Sequence, residues 1–309
     1  MASTSAAPAR SQPYPDLHGT TVGFIGLGDI GLPMVANLLR AQAQVWVNDL
    51  RQPALARAQE LGARPGSLRE LADHCPVICV AVINERQMRD VVLGAQGLLE
   101  HMRAGQTLIV HSTVPPRAAR ELADAVRARG VQVLDAPMSG ANIAARAGTL
   151  SFLVGGEATV LQACRPLLDA MGTHVFHLGA VGNGQVGKLV NGLIFHVGHV
   201  VILEALRLAH AHGVAEEDIV ELVKASTGNC WTIEHWGYFD RFFDEHTLVG
   251  RDELIEGLLR KDIADALIAA HDVKSWLPMS GLAMELYPQL VYERQARRRA
   301  AAESAREGG

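Results

Sequence analysis

The segment Gly26-Leu27-Gly28-Asp29-Ile30-Gly31 has the spacing G-x-G-x-x-G. It follows the β-branched and apolar run Thr21–Ile25 and opens a segment of helical spacing, Pro33–Arg40. Strand, glycine turn and helix in that order make the dinucleotide fingerprint. Gly26 permits the tight turn, Gly28 lets a pyrophosphate approach the backbone, and Gly31 lets helix pack closely on strand. The helix N-terminus then offers free N–H groups and a partial positive charge to the phosphates. Leu27, Asp29 and Ile30 share the loop and join the cofactor-binding set. Asp29 fits a diphosphate poorly, because two anions compete at one helix terminus, so its side chain is expected to face solvent. An acid is expected about 20 residues further on, at the end of the second strand, to hold the ribose hydroxyls. Asp49 stands there, after Val45-Trp46-Val47-Asn48. Its carboxylate would repel a 2′-phosphate, so NAD is favoured over NADP. Leu50 beside it brings no positive charge, and Arg51 is a nearby cation.

A second chemical signal lies at Gly182-Asn183-Gly184-Gln185-Val186-Gly187-Lys188-Leu189-Val190-Asn191. Two glycines and Asn183 open a helix, and Lys188 and Asn191 fall at i and i+3 on one face. The sequence around them is apolar. A lysine on the inner face of a buried helix must pair or lose its charge. Desolvation and cofactor charge bring such lysines from about 10.4 towards roughly 7–8, where they transfer protons. By the residues alone, a surface lysine near a helix start fits equally well. His196 and His199, further along the same helix, read as core or interface histidines and not as metal ligands. Trp231 reads as a core tryptophan ahead of a pocket wall. The four cysteines are scattered; Cys75 and Cys79 are close, but no second Cys/His pair completes a zinc spacing. They are expected to be reduced, and no metal site is expected.

The elements that must position these groups alternate. Strand-like runs at 21–25, 44–48, 77–83, 107–111, 132–135, 150–154 and 173–177 are interleaved with helix-like segments at 33–40, 53–61, 86–93, 117–129 and 158–171. Such alternation means βαβ units and a parallel sheet with helices on both faces. A glycine- and alanine-rich loop is expected at 136–148. From about Asn183 to Arg294 the pattern is almost wholly helical, beginning with a long helix from about Gln185 towards Ala211. The expected organisation is a flexible tail over 1–20, a dinucleotide-binding domain over 21–182, an all-α domain over 183–293 that binds substrate and subunits, and a flexible tail over 294–309 containing the Arg297–Arg299 cluster.

Length and charge bound the class. A chain of 309 residues suggests two domains. The net charge of −5, from 28 Lys and Arg against 33 Asp and Glu, lacks the basic excess of a nucleic-acid binder. The first 21 residues lack the apolar core of a signal peptide. The most apolar stretch, Leu189–Leu206, is interrupted by Asn191, His196, His199 and Glu204, so a buried helix is expected rather than a membrane span. A cytoplasmic location follows as the default.

Taken together, the glycine loop with Pro33, Met34 and Asn37-Leu38, the segment Asp135-Ala136-Pro137-Met138-Ser139-Gly140 continuing to Gly148-Thr149-Leu150, the Gly182–Asn191 segment and the weaker Lys261-Asp262 resemble the 3-hydroxyisobutyrate dehydrogenase (β-hydroxyacid dehydrogenase) family over residues 21–292. The resemblance implies a Rossmann domain followed by an all-α domain. It implies an oxidoreductase that moves a hydride between NAD and the hydroxyl carbon of a small β-hydroxy acid. Lys188 would be the general acid–base, and Asn191 would hold the hydroxyl or a carboxylate oxygen. Ser139 and Gly140, with Ala141 next to them, would bind the substrate carboxylate. Thr113 would sit by the nicotinamide, Lys261 would approach the cofactor from the helical domain, and Val82 and Ile83 would give it backbone contact. It also implies a homodimer or homotetramer through the helical domain. Two positions depart from the family pattern: Ala141 replaces a glycine and Gly192 an asparagine. Asn48–Arg51, Ser112–Pro116 and Gly228–Trp231 look more like the branch acting on four-carbon sugar acids such as threonate. Two other readings are an imine reductase of the same fold, against which Lys188 argues, and a non-catalytic dinucleotide-binding module.

Overall fold

The computed structural model describes residues 14–245 and 260–307. The chain divides into two compact units, Met1–Lys188 and Leu189–Gly309.

Among the described residues the first unit contains nine strands: β1 (Thr21–Ile25), β2 (Gln44–Asn48), β3 (Arg64–Pro65), β4 (Val77–Val80), β5 (Thr107–Val110), β6 (Gln132–Asp135), β7 (Met138–Ser139), β8 (Leu150–Gly156) and β9 (Gly172–His177). Strands β3-β2-β1-β4-β5-β6 lie side by side and parallel. This is the doubly wound order 3-2-1-4-5-6 of dinucleotide-binding sheets. β8 adds antiparallel to β6, and then pairs β7 antiparallel and β9 parallel. The helices are α1 (Gly31–Arg40), α2 (Gln52–Glu60), α3 (Leu68–His74), α4 (Glu85–Leu93), α5 (Leu98–His101), α6 (Pro116–Arg127), α7 (Ala141–Ala147) and α8 (Ala158–Met171). One core layer joins Phe24, Met34, Leu38, Ile109, Phe152 and Leu168; a second joins Leu71, Ile78, Met88, Leu108 and Leu122. A sheet covered by both layers has strands buried on both faces, as in β5, where all four residues are buried and three of them, Leu108, Ile109 and Val110, are apolar.

Several local expectations change. The strand expected to reach Ile83 ends at Val80, because the Val82 N–H turns away to the Ser112 hydroxyl. The expected loop after Asp135 holds β7 and α7, the latter bounded by Gly140 and Gly148, both left-handed. α3 is an addition, started by a reciprocal capping box between Ser67 and Glu70. Residues 14–20 are packed rather than a loose tail: Leu17 is buried, and the Tyr14 hydroxyl bonds Asn37 Oδ1 at 2.9 Å. The rest of that expected tail, residues 1–13, lies outside the described residues.

α9 (Asn183–Ala211) runs on into the second unit, which also holds α10 (Glu216–Lys224), α11 (Trp231–Glu234), α12 (Tyr238–Glu245), α13 (Arg260–Asp272) and α14 (Pro278–Glu307). Val200, Leu203, Phe239, Ile263, Tyr287 and Leu290 form its core. α14 continues through the region expected to be a charged tail. Its buried Arg294 bonds Asp240 and Glu216, and Arg298 pairs with Asp240 at 2.9 Å. α9 is long and apolar enough to cross a membrane by length and composition. The buried-helix expectation holds for one face, which carries Leu189, His196, His199, Val200, Leu203 and Leu206. The opposite face exposes Val190, Ile194, Val201 and Leu208.

Candidate active site

The glycine loop joins β1 to α1, and each glycine does a separable job. Gly26 has φ +94°, and a Cβ there would lie 2.3 Å from the Ala81 carbonyl oxygen. A Cβ on Gly31 would meet the Gly26 oxygen at 2.0 Å, so helix and loop touch backbone to backbone. Gly28 has nothing within 4 Å of its Cβ position. That open face is the cradle a diphosphate needs, and no side chain caps the N-terminus of α1 above it. Leu27 is buried beneath the loop, Ile30 is half-buried at the N-cap of α1, and Asp29 is exposed, as its charge required.

Asp49 closes the loop from the end of β2. Its Oδ2 accepts the Leu27 N–H at 2.7 Å, and Arg51 brings its backbone N–H at 2.8 Å and its guanidinium at 3.1 and 3.2 Å. Burial pushes the Asp49 carboxyl up, but the bonds from Arg51 and Leu27 outweigh it and hold it below the ordinary carboxylate value. The acid is thus already neutralised in part by Arg51. Leu50 is 98% exposed. Across the sheet, the Val82 N–H is held by Ser112 and the Ile83 N–H by Gln87 Oε1 at 3.0 Å, so only their carbonyls remain for backbone contact. Ile83 is 72% exposed, and Thr113 is half-buried beyond β5.

The start of α9 is anchored by a carboxyl whose role no sequence spacing announces. Asp135, the last residue of β6, is buried. Its two oxygens accept the Gly182 N–H at 2.8 Å and the Gln185 N–H at 2.9 Å. Burial raises its pKa, opposed by those two bonds. The Gln185 side chain, wholly buried, accepts from Val114 N–H at 3.1 Å and donates to the Ser112 carbonyl at 3.0 Å. Gly184 has no room for a side chain, since a Cβ would lie 2.3 Å from the Leu153 oxygen. The signal that could have found Asp135 is a lone acid closing a strand that a parallel sheet buries, where it must have partners.

Lys188 sits about one and a half turns into this helix, half-buried, with no ion pair among the described residues. The expectation of a lysine buried among apolar side chains is corrected to that extent. Asn191 is exposed one turn further on, and Gly192 is buried. Ser139 ends β7 opposite Ser151. Gly140 follows at φ +118°, and Ala141 at φ +54°. A left-handed alanine costs about 1–2 kcal/mol, which gives a physical reason for a glycine there. In the second unit, Lys261 is paired with Asp265 at 2.7 Å. Trp231 is 44% exposed, with its ring stacked on His235 at 4.2 Å, so the core reading of it is overturned. His196 and His199 are buried.

Comparison with known proteins fits this arrangement. A model of the NAD binding domain of 6-phosphogluconate dehydrogenase matches residues 21–179. A model described as the NAD-binding part of NADP-dependent 3-hydroxyisobutyrate dehydrogenase matches residues 182–304. The chain belongs to the 3-hydroxyisobutyrate dehydrogenase family. Its members include NAD-dependent hydroxyacid dehydrogenases, with NADP also found among them, and the open cradle at Gly28 with Asp49 beside it fits a dinucleotide. The NAD-dependent L-serine dehydrogenase of Pseudomonas aeruginosa is 35% identical over 90% of this chain and 94% of its own. The 3-hydroxyisobutyrate dehydrogenase of the same organism is 34% identical over 87% and 91%. Among solved structures, the 3-hydroxyisobutyrate dehydrogenase of Mycobacterium tuberculosis with L-serine is 28% identical, covers 88% of this chain and 94% of its own, and has a TM-score of 0.77.

Proposed function

We propose that this member of the family oxidises a small β-hydroxy acid with NAD and that Lys188 is its general acid–base. The observation that carries the reading is a half-buried lysine without an ion pair among the described residues, near the start of a helix anchored by buried Asp135. NAD, when bound at the glycine loop, supplies the hydride acceptor. Lys188 Nζ takes the proton from the substrate hydroxyl in oxidation and returns it in reduction. Ser139 and the Gly140 N–H bind the carboxylate, with Ala141 narrowing that end, and Asn191 holds the hydroxyl or a carboxylate oxygen. Thr113, Val82 and Ile83 border the nicotinamide side, and Lys261 is a further cofactor-binding residue. NAD is preferred to NADP because Asp49 faces the ribose; Arg51 tempers that preference.

The substrate class is a carboxylate with a hydroxyl on its β-carbon, which 3-hydroxyisobutyrate and serine share. The two relatives named for those substrates support the reading. The test is turnover at 340 nm with 3-hydroxyisobutyrate, serine, threonate and glycerate, each with NAD and with NADP. Reduction of NAD by one of them is the expected result; no turnover with any sinks the proposed class. The enzyme works as a homodimer or homotetramer in the cytoplasm. The stripe Val190, Ile194, Val201 and Leu208 repeats at i, i+4, i+11 and i+18 along one exposed face of α9, which suits burial against a second copy. A monomer in sedimentation would remove that part.

A further inference from the structure

Within the first unit, the exit of β5 is held by one side chain. The chain leaves the sheet after the His111 N–H, which bonds the Val80 carbonyl at 2.8 Å. The segment Ser112–Pro116 that follows is buried, except for half-buried Thr113. Pro115 and Pro116 bring no N–H, and a buried backbone without a neighbouring strand must find partners elsewhere. Gln185, wholly buried in the first turn of α9, supplies them on both sides of one residue. Its Oε1 accepts the Val114 N–H at 3.1 Å, and its Nε2 donates to the Ser112 carbonyl at 3.0 Å. Only this orientation of the amide satisfies both groups. The side chain thus pairs with backbone as a strand would, and the residue bracketed by the two bonds is Thr113. From the same segment, the Ser112 hydroxyl accepts the Val82 N–H at 2.9 Å. The Gln185 N–H is fixed in turn by Asp135 at 2.9 Å. The exits of β4, β5 and β6 are therefore tied to one turn of helix. Those are the carboxyl ends of parallel strands, where doubly wound sheets bind their ligands. Lys188 stands three residues further along the same helical face, still in the first unit.

Oxidation of an alcohol removes a hydride from carbon and a proton from the oxygen bonded to it, leaving a carbonyl. The two depart from adjacent atoms, so the groups that receive them must stand at a fixed separation. We propose that Gln185 is a positioning residue that sets this separation, holding the Thr113 segment against the turn that carries Lys188. The proposal rests on the roles given above to Lys188, which receives the proton, and to Thr113, which borders the nicotinamide. Gln185 itself is given no contact with substrate or cofactor, because its amide is taken up by the two backbone groups. Anchoring α9 alone does not need that amide. Asp135 does so through the Gly182 and Gln185 N–H groups, without the Gln185 side chain. The side chain is a separate tie, aimed at the exit of β5.

The experiment uses the full-length protein and the fastest of the four hydroxy acids named above, with NADH binding and Tm measured alongside. Gln185→Met keeps the volume and removes both bonds. It is expected to lower kcat per titrated NADH site about 10²-fold, the cost of roughly an ångström of misplacement. The NADH dissociation constant should be nearly unchanged, because the glycine loop is untouched. The fluorescence of bound NADH, which the nicotinamide emits, should shift as the Thr113 segment moves. With the substrate deuterated at its hydroxyl carbon, the variant should slow further. A purely structural Gln185 would lower Tm and the number of sites while leaving kcat per site and the emission alone, and that result overturns the proposal. So does a slowed variant with no isotope effect. Should Gln185→Met not fold, Gln185→Asn withdraws the amide by one methylene from both partners, and wild-type kcat and emission there overturn the proposal equally. Lys188→Ala separates the two layers. If its kcat is unchanged, the acid–base role fails and the proposal with it. If it is slowed while Gln185→Met is not, only the positioning role fails.

Discussion

At the scale of single residues, the proposed chemistry rests mostly on two side chains. Lys188 is expected to move a proton and not to hold the cofactor. Lys188→Ala should lower kcat by about 10²–10⁴, the usual worth of a positioned acid–base, with NADH affinity nearly unchanged; steady-state rates and a binding titration check this together. Asp49 does two things, since its Oδ2 also holds the Leu27 N–H under the glycine loop. Asp49→Ala should weaken NAD more than NADP and free Arg51 for a 2′-phosphate. It should also lower stability by about 1–3 kcal/mol, because the N–H of buried Leu27 loses its acceptor. Paired titrations with NADH and NADPH, and a denaturant curve, measure both parts. The position of Asp49 could be read from its distance to the glycines. Its pairing with Arg51 could not, because a two-residue separation permits that contact without requiring it.

At the scale of elements, the glycine loop separates binding from folding. Gly28→Ala adds a methyl group to open space and should leave Tm unchanged while raising the NADH dissociation constant. Gly31→Ala drives a Cβ into the Gly26 oxygen. It should cost several kcal/mol of stability, above the roughly 1–3 kcal/mol of ordinary overpacking because backbone must move, and abolish binding as well. Thermal melts and titrations of the two variants decide it, and equal losses in both would contradict the geometry. The strand–turn–helix order around this loop was legible because hydrophobic period and glycine spacing are local. β7 and α7 were not. Met138–Ser139 is too short to show a period, and a seven-residue alanine-rich helix between two glycines has the composition of a loop. α3 left its signature in Ser67 and Glu70, three residues apart.

At the scale of the molecule, each unit buries a neutral histidine. Burial lowers His111 in the first unit from 6.5 to about 4, against the opposing bond to the Ala136 carbonyl, and lowers His199 in the second to about 3. Unfolded, each takes up a proton below about pH 6.5; folded, each resists until far lower. Stability is therefore intact above pH 6.5 and is lost as pH falls through about 4 and then 3. For His111 alone the loss reaches about 3 kcal/mol. Denaturant unfolding at pH 7 and pH 4.5 should show it, and His111→Asn should flatten the slope. A slope unchanged in that variant would clear His111 of the effect.

The sequence by itself determined the parallel sheet, the glycine cradle, the acid after the second strand and the lysine–asparagine pair, because each is written in local spacing or in an uninterrupted apolar run. Only the tertiary structure decided that Asp135 and Gln185 anchor the helix behind Lys188, that the Gln185 amide brackets Thr113, and that Arg51 shares Asp49. Those pairs stand 47 to 73 residues apart or depend on side-chain geometry. A buried polar atom must find a partner wherever the chain brings one, and sequence spacing does not encode which one arrives.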